Sequence, residues 1–450
     1  MNAKRFGWLG IARLGLVQAA LGSIVVLTTS TMNRVMVVEL ALPATLPGLL
    51  VALHYFVQVM RPRMGHGSDV GGRRTPWIIG GMGVLAMGGV GAALATAVME
   101  THTLAGIGLA VLAFTLIGLG VGASGTSLLV LLAAKVDARR RPAAATVTWL
   151  MMIFGFIVTT AIVGQLLDPF TTARLVTVTA GVATVAFVVT VLAVRHIEGT
   201  EEVEVGEPET NAEQRPAFFA ALRQVWSESE SRRLCVFIFV SMLAYSAQDL
   251  ILEPFAGAVF GLTPGESTKL SSVQNGGVLL GMILVGFAGT TLGQGRARVM
   301  RGWTISGCFA SSVALLALAF AGFVGPAWPL RTSVFVLGMA NGAFAVAAIG
   351  SMMSLVSAGR ARREGVRMGM WGAAQAIAFA LGGLAGTAAV DLSRWLLGSP
   401  AAAYASVFAG EALLFLVAGI LATRLQRGDT ASFEMAMPMA GTFSTGARQQ

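Results

Sequence analysis

Apolar runs of about 20 residues or more recur along nearly the whole chain of 450 residues. A helix needs about that length to cross the ~30 Å hydrocarbon core of a bilayer. The runs predict twelve transmembrane helices in two groups of six, and therefore an all-α polytopic membrane protein. The predicted spans are approximately 15–38, 43–62, 77–98, 104–134, 144–167, 172–195, 234–260, 269–292, 302–325, 330–357, 368–391 and 400–424.

The composition excludes an ordinary soluble domain. Hydrophobic residues make up 55% of the chain and charged residues only 12%, whereas about a quarter of the residues of a soluble domain are charged. The formal charge of +9 would suit nucleic acid, but the basic residues stand in short clusters between apolar runs, as topology signals that face anionic lipid. We therefore predict membrane lipid as a partner and no nucleic acid. Cys235 and Cys308 lie inside apolar runs without ligand-like spacing, so no disulfide and no metal site of its own is predicted.

The lysines and arginines predict the orientation. If both termini are cytoplasmic, 26 of the 31 basic residues fall in the two tails and the cytoplasmic loops with their helix ends. This asymmetry is the one that the positive-inside rule requires. The chain shows no small-residue cleavage site directly after a short hydrophobic core, so the first run is expected to be a retained helix.

The charge pattern also predicts the domain organisation. An N-terminal six-helix half is expected at 1–197 and a C-terminal six-helix half at 234–427. Between them, 198–233 is expected to be a cytoplasmic linker with an acidic stretch and an interfacial amphipathic helix. The alternative for the second part of this linker is an extension of the seventh helix. A disordered cytoplasmic tail is expected at 428–450.

An internal repeat supports the two groups of six. Gly118 and Gly122 align with Gly338 and Gly342 at an offset of 220 residues. Each pair forms a G-x-x-x-G step, which lets helices approach closely where packing drives association in lipid.

The loop GHGSDVGGRR, which starts at Gly65, resembles the loop between helices 2 and 3 of the major facilitator superfamily, whose fold has parallel repeats of six helices. Val70 replaces a residue that is usually basic in that family, and the second copy near Gly289 keeps little beyond glycines and arginines. The resemblance implies a lock between helix ends, although a positively charged loop without a special role is the alternative. The expected lock residues are Gly65, Asp69, Gly72, Arg73 and Arg74.

Charges inside the spans are costly in hydrocarbon and therefore mark candidate sites. The sequence predicts an intramembrane charge cluster in which Arg34 pairs with Asp249 or Glu253 across the two halves. The alternative is that these groups are helix ends reaching the headgroups. The cluster comprises Asn33, Arg34, Glu39, Asp249 and Glu253. Glu411 is a further carboxylate, either structural or proton-coupling.

Three stretches together are similar to the PucC/LhaA, or bacteriochlorophyll delivery, family of the major facilitator superfamily. They are TSTMNRVMVVELALPATLPG from Thr29, HYFVQVMRPRMGHGSDVGGRRTPWI from His54, and YSAQDLILEPFAG from Tyr245. The resemblance implies a factor that binds or delivers bacteriochlorophyll to light-harvesting antenna polypeptides in the inner (intracytoplasmic) membrane of a purple bacterium. Pigment-synthesis enzymes are further partners that it suggests.

A bacteriochlorin would need an apolar slot and one neutral donor for its magnesium, for which imidazole is a common choice. His54 is the one histidine inside a predicted span and leads the candidates, although a hydrogen-bonded packing role is the alternative. The candidate pigment-binding residues are His54, Tyr55, Gln58, Gln248, Gln274 and Asn275.

No nucleotide-binding, serine-hydrolase, metalloprotease or C-x-x-C motif occurs in the chain, so we predict that it is not an enzyme. Two function classes remain. One is a pigment-binding assembly factor, and the other is a secondary transporter that moves a small amphipathic solute by alternating access, with Asp249 and Glu411 as candidate proton-coupling groups.

Overall fold

A computed structural model describes residues 6–60, 73–137, 140–198, 226–227, 229–291, 296–358 and 364–424. Gly65, Asp69 and Gly72 of the predicted lock lie outside the described residues. So do most of the predicted linker and the whole predicted tail at 428–450.

The described chain is helical throughout and contains no β-strand, so the predicted all-α class is confirmed. We number the helices α1 to α12. They are α1 Trp8–Glu39, α2 Thr45–Val57, α3 Thr75–Met99, α4 Thr103–Lys135, α5 Arg141–Leu166, α6 Thr172–Val194, α7 Ser229–Phe260, α8 Pro264–Thr291, α9 Arg296–Val324, α10 Leu330–Ala358, α11 Glu364–Leu397 and α12 Pro400–Arg424.

Helix α2 is shorter than the sequence predicts. Eleven of the described helices are long and apolar enough to cross a membrane, whereas α2 has 13 residues and is followed by a 3₁₀ turn at Gln58–Met60, where this described range ends. The apolar run that predicts this span starts at residue 43, but the helix begins at Thr45. The preceding residues form the turn after α1, in which Ala41 has a left-handed φ of 50°, so apolar side chains there do not make helix.

Successive helices run in opposite directions. We call the end of the bundle with the α1–α2, α5–α6, α7–α8 and α11–α12 connections the distal end, and the opposite end the terminal end. The N-terminal segment lies at the terminal end, where Phe6 donates a backbone hydrogen bond of 2.9 Å to Lys135 O at the close of α4.

Two hydrophobic cores correspond to the two groups of six helices. The first core is built from α1 to α6 and the second from α7 to α12. Some residues cross this division: Leu250 of α7 packs into the first core, while Val37, Val38 and Ala44 pack into or against the second. A further apolar cluster joins Ile153 of α5 to Val278 and Met282 of α8. The halves therefore pack together near the distal end of α1, along α7, and between α5 and α8.

The repeated glycines permit close helix contacts at equivalent places in the two halves. A Cβ on Gly118 would lie 2.7 Å from His54 O, and a Cβ on Gly338 would lie 2.1 Å from Gln274 O. No real Cβ tolerates either distance, so α4 approaches α2, and α10 approaches α8, only through glycine. Because His54 and Gln274 are also separated by 220 residues, these contacts confirm the predicted repeat.

Helix α1 departs from α-helical geometry near its distal end. Two π-helical turns, Leu27–Thr31 and Val35–Glu39, flank the short α-helical stretch Met32–Arg34. Extra residues in a turn rotate the side chains that follow, and such turns are frequent at functional sites. Here they accompany the burial of Asn33 and Arg34 between the two halves.

Candidate functional site

The side chain of Asn33 in α1 forms a hydrogen bond to the backbone of α7. Its side-chain amide donates a hydrogen bond to Leu250 O. In a regular helix the N–H four residues later would occupy that carbonyl, but the residue there is Pro254, which has no N–H. The proline inside α7 thus leaves an acceptor that the other half of the protein uses.

Arg34 does not make the predicted ion pair across the halves. Its guanidinium donates to the carboxylate of Glu39 in its own helix and to Leu262 O at the end of α7. Glu253 interacts electrostatically with Arg34 but accepts its hydrogen bond from Ser271 of α8. The wide π-helical turn after Arg34 brings Glu39 within reach, which regular helical spacing did not suggest.

The surroundings of Arg34 form a closed polar seam between α1, α7 and α8. Thr31 and Thr268 share a hydrogen bond of 3.1 Å across the halves. Within the described residues, three buried atoms of this seam lack a hydrogen-bond partner. They are Asn33 Oδ1, Arg34 Nε and Glu253 Oε2. A buried polar atom without a partner is costly. Internal water molecules could form the hydrogen bonds that these three atoms lack.

Two carboxylates join the halves at the distal end, and we call them the distal latches. Asp391 of α11 accepts hydrogen bonds from the backbone N–H groups of Ala44 (2.9 Å) and Thr45 (2.7 Å) at the start of α2. Asp168 after α5 accepts one of 2.9 Å from the Thr263 hydroxyl beside the start of α8. Each carboxylate therefore meets the positive end of a helix dipole in the other half.

The two latches occupy equivalent places. The 220-residue offset relates α5 to α11 and α2 to α8. Lys269 supplements the second latch, with its Nζ 3.7 Å from Asp168 Oδ2. Both latches therefore connect the two halves at the distal end.

Of the predicted loop lock, the structure describes Arg73 and Arg74. Arg74 and Thr75 donate backbone hydrogen bonds of 2.9 and 2.8 Å to the carboxylate of Glu198, which lies after α6. Burial acts to raise the pKa of Glu198, but these N–H donors and the charge of Arg74 outweigh burial and hold the pKa below its ordinary value. Glu198 therefore caps α3 as an anion. The sequence suggested only an acidic linker at this position.

His54 and Gln58, two candidate pigment-binding residues, contact one another. Their Nε2 atoms are 2.8 Å apart, and both side chains are buried. This arrangement is the hydrogen-bonded packing that the sequence left open as the alternative for His54.

The neighbouring Tyr55 faces the other half of the protein. The centroid of its ring is 5.4 Å from that of Phe379 in α11, and Phe379 lies 6.0 Å from the ring of Tyr245 in α7. We call these three side chains the ring group. All three remain partly exposed, and through them α2 of one half contacts α11 and α7 of the other.

Asp249 extends the ring group along α7. It lies one helical turn from Tyr245, interacts electrostatically with it and with Glu411 of α12, and is partly exposed. Glu411 is buried, and neither of its carboxylate oxygens has a hydrogen-bond partner among the described residues. Asp249 and Glu411 are therefore two carboxyl groups within the helices of the C-terminal half.

The remaining candidates lie apart from the ring group. Gln248 is completely buried, and its amide atoms have no hydrogen-bond partner within the described ranges. Gln274 packs at the glycine contact with α10, and Asn275 donates a hydrogen bond of 2.9 Å to Ser271 O in its own helix. The structure thus brings Tyr55 together with His54 in its own helix and with Phe379 of the other half.

An apolar groove of about 450 Å³ lies on the outer face of α3 and α4. Pro76, Trp77, Gly80 and Leu119 are among the residues that line it. It is a place where an apolar chain or ring could lie. Among the described residues, no group of three or more His, Cys, Asp or Glu could hold a metal ion.

Sequence reasoning did not single out Phe379, Asp391, Asp168 or Glu198. Phe379 is one aromatic residue in an apolar run, and nothing local marks it as a contact between halves. The three carboxylates fall at predicted span ends, where charges are usual. The internal repeat could have indicated the two aspartates, because Asp168 and Asp391 each lie near the end of the fifth helix of their half.

Comparison with solved structures shows the fold. A crystal structure of a bacterial homolog of the human lysosomal transporter Spinster, in an inward-facing and occupied conformation, superposes with a TM-score of 0.68. The match covers 93% of this chain and 96% of that one at 12% sequence identity. The chain has the major facilitator fold.

The relatives define the family. The chain is 52% identical to the "Bacteriochlorophyll synthase 44.5 kDa chain" of Rhodobacter capsulatus, over 93% of this chain and 95% of that one. It is 30% identical to "Protein PucC" of Rhodobacter capsulatus, over 91% and 90% of the two chains. The family model described as "PUCC protein" matches residues 31–430. The chain belongs to the PUCC family, and it is a multi-pass membrane protein.

Proposed function

We propose that this protein is a membrane assembly factor that binds or delivers bacteriochlorophyll to light-harvesting antenna polypeptides. The observation that carries the proposal is the 52% identity to a relative named for bacteriochlorophyll synthesis, over nearly the full length of both chains. Membership of the PUCC family supports it. The proposed location is the inner membrane of a purple photosynthetic bacterium, with both termini cytoplasmic.

The proposed role is not enzymatic, although the name of that relative contains the word synthase. The fold is one that solved transporters have, and such a body can hold a ligand between two halves without transforming it. Association with pigment-synthesis enzymes would connect a non-enzymatic chain to pigment synthesis. The two six-helix halves are proposed as the scaffold for this transfer.

The test is gentle solubilisation of the tagged protein from its native membrane, followed by an absorption spectrum and identification of the copurifying proteins. We expect a far-red absorbing pigment at a fixed ratio to the protein, together with antenna polypeptides. An unrelated tagged membrane protein from the same cells is the control for free pigment in detergent. A colourless preparation without antenna polypeptides would contradict the proposal.

A secondary transporter is the second candidate, supported by two carboxyl groups inside membrane helices, Asp249 in α7 and Glu411 in α12. Carboxyl groups within membrane spans are costly and often serve in the proton relays of carriers. Reconstituted protein that takes up an amphipathic solute only under a proton gradient would favour this function. Loss of that uptake in Asp249→Asn would strengthen it further.

A further inference from the structure

The apolar groove between α3 and α4 begins at the terminal end of the bundle. Pro76 and Trp77, which line it, belong to the first turn of α3, and Val84 lines it eight residues after Pro76. At 1.5 Å per residue, the groove therefore follows α3 for about 12 Å. Because α3 is a membrane helix, the groove runs from the level of the lipid headgroups into the hydrocarbon.

Glycines keep the groove open. A Cβ on Gly81 would lie 2.6 Å from Ser124 N, and a Cβ on Gly120 would lie 2.5 Å from Leu85 N, so the backbones of α3 and α4 touch. Gly80 faces the other way: it is exposed, and nothing lies within 4 Å of a Cβ built on it. The groove of about 450 Å³ therefore has helix backbone at Gly80, where any other residue would place a side chain.

The lining suits a hydrocarbon chain. It consists of glycine, alanine, valine, leucine, proline and tryptophan residues, and Trp77 lies at its terminal end, which we call the mouth. None of these side chains has a carboxylate, amide or imidazole, so a pigment in the groove would find no side-chain ligand for its magnesium. An acyl chain needs no polar partner, and an indole is common at the depth of the headgroups.

Arg73 supplies a positive charge beside the mouth. It stands three residues before Pro76, which is about 10 Å of chain at most. Its side chain is exposed, and within the described residues it makes no hydrogen bond and no ion pair. The carboxylate of Glu198 at the start of α3 is occupied by the N–H groups of Arg74 and Thr75. The charge of Arg73 is therefore available to a phosphate of the membrane.

We infer that the groove binds an anionic phospholipid, whose acyl chain lies along Gly80 and whose phosphate meets the guanidinium of Arg73. The inference is independent of the proposed function, and it gives the predicted lipid partner a definite site. A neutral lipid would lack the net charge that Arg73 selects, and a free phosphate would lack the chain that fills the groove. The bound chain covers the exposed backbone of α3 with hydrocarbon.

The test uses Trp77 as a local reporter. Bromine on an acyl chain quenches tryptophan fluorescence on contact, so a chain in the groove is detected directly. The full chain is placed in phosphatidylcholine nanodiscs that contain a small fraction of dibrominated phosphatidylglycerol or, in a parallel series, of dibrominated phosphatidylcholine. The chain has eight tryptophans, so the signal of Trp77 is the difference between each protein and its Trp77→Phe form.

The two substitutions separate the charge from the chain. In the wild-type protein, the anionic lipid is expected to occupy the groove about five-fold more than the neutral lipid, because one basic residue lies beside the headgroups. Arg73→Gln should abolish this preference and leave quenching by chain contact. Gly80→Leu should reduce the quenching of Trp77 by both lipids, because its side chain fills the groove. Gly80→Val is the smaller replacement if Gly80→Leu does not fold.

Each substitution has a matched control elsewhere on the protein. Gly181→Leu matches Gly80→Leu, because nothing lies within 4 Å of a Cβ at the exposed Gly181 of α6. Arg331→Gln matches Arg73→Gln, because Arg331 is an exposed arginine at the distal start of α10. Neither control should change the quenching of Trp77. High salt should weaken the preference for the anionic lipid in the wild-type protein.

Two results would overturn the inference. Equal quenching of Trp77 by the two lipids in the wild-type protein would show that the groove does not select an anionic headgroup. Unchanged quenching in both Gly80 variants would show that the chain does not lie in the groove. Neither result bears on the proposed function, which concerns pigment and antenna polypeptides.

Discussion

The amide of Asn33 donates a hydrogen bond to Leu250 O, a carbonyl that Pro254 leaves without its usual helical donor. A break in the hydrogen-bond ladder of one half is thereby filled by a side chain of the other half. In hydrocarbon an unfilled carbonyl costs several kcal/mol. The proline and the asparagine are therefore two parts of one contact.

Their dependence is testable by a double-mutant cycle. Asn33→Leu should destabilise the protein by about 1–3 kcal/mol, because it leaves Leu250 O without a donor. In a Pro254→Ala background the same change should cost less, since the introduced alanine brings a backbone N–H to that carbonyl. Unfolding in mixed detergent, followed by circular dichroism, measures both costs. Equal costs in the two backgrounds would show that the residues act independently.

Arg34 should matter more for stability than Glu39. Arg34→Leu removes the cation from a buried seam that also contains Glu253, and loss of one partner of a buried pair costs about 3–5 kcal/mol. Glu39→Gln should cost less than about 1 kcal/mol because Glu39 is exposed. Thermal inactivation of the two purified variants compares these costs. The reversal Arg34→Glu with Glu39→Arg should recover more stability than Arg34→Glu with Asp249→Arg, and the opposite order would refute the observed pairing.

The distal latches should control access to the junction. Asp168→Asn with Asp391→Asn weakens the bonds to the helix starts, because a neutral amide accepts more weakly than a carboxylate. A cysteine at the buried Val37 should then react about ten-fold faster with a maleimide that cannot cross the membrane. Glu266→Gln is the matched control, since Glu266 bonds Thr263 within its own half. An unchanged rate in the double variant would mean that other contacts keep the distal end closed.

Glu198 gives a pH-dependent contribution of known sign. Its pKa is lowered in the folded protein, so its stabilising effect is complete above the ordinary glutamate range and is lost as the pH falls through the lowered pKa. At neutral pH, Glu198→Gln should cost about 1 kcal/mol, as loss of a helix cap does. Melting temperatures of wild type and variant should converge in acid. A constant difference at every pH would contradict the capping role.

The glycine contacts should be intolerant of a single methyl group. Gly338→Ala should destabilise the protein strongly, because its Cβ would lie 2.1 Å from a backbone oxygen of α8. Gly276→Ala in α8 itself is the matched control, since nothing lies within 4 Å of its Cβ. The yield of monodisperse protein after detergent extraction reports both. Equal yields would show that α8 and α10 can separate without loss.

Much of the fold could be predicted because membrane helices require long apolar runs, which are visible in the sequence. Apolar runs define the helices, and the offset of 220 residues relates Gly118 to Gly338. The start of α2 differs from the predicted span by two residues, because the apolar residues Pro43 and Ala44 precede the helix. Composition does not distinguish an apolar turn from an apolar helix.

The candidate site was less predictable than the fold. The sequence predicts that Asn33, Arg34 and Glu253 belong to a candidate site, because polar groups in hydrocarbon are rare and costly. It does not predict that Arg34 binds Glu39, because the bond is made across a π-helical turn that regular helical spacing does not anticipate. No sequence pattern indicates Phe379, because its role depends on its contacts with the rings of Tyr55 and Tyr245 in the folded protein.

Each distal latch consists of one carboxylate on one half and a helix start on the other. For Asp391 the receiving groups are mainly backbone amides, which almost any amino acid at positions 44 and 45 would supply. The helix start can therefore change its side chains during evolution without a matching change across the junction. A single substitution at the aspartate, however, is enough to alter how firmly the halves are held. The strength of the contact between the halves can thus change through one substitution at a time.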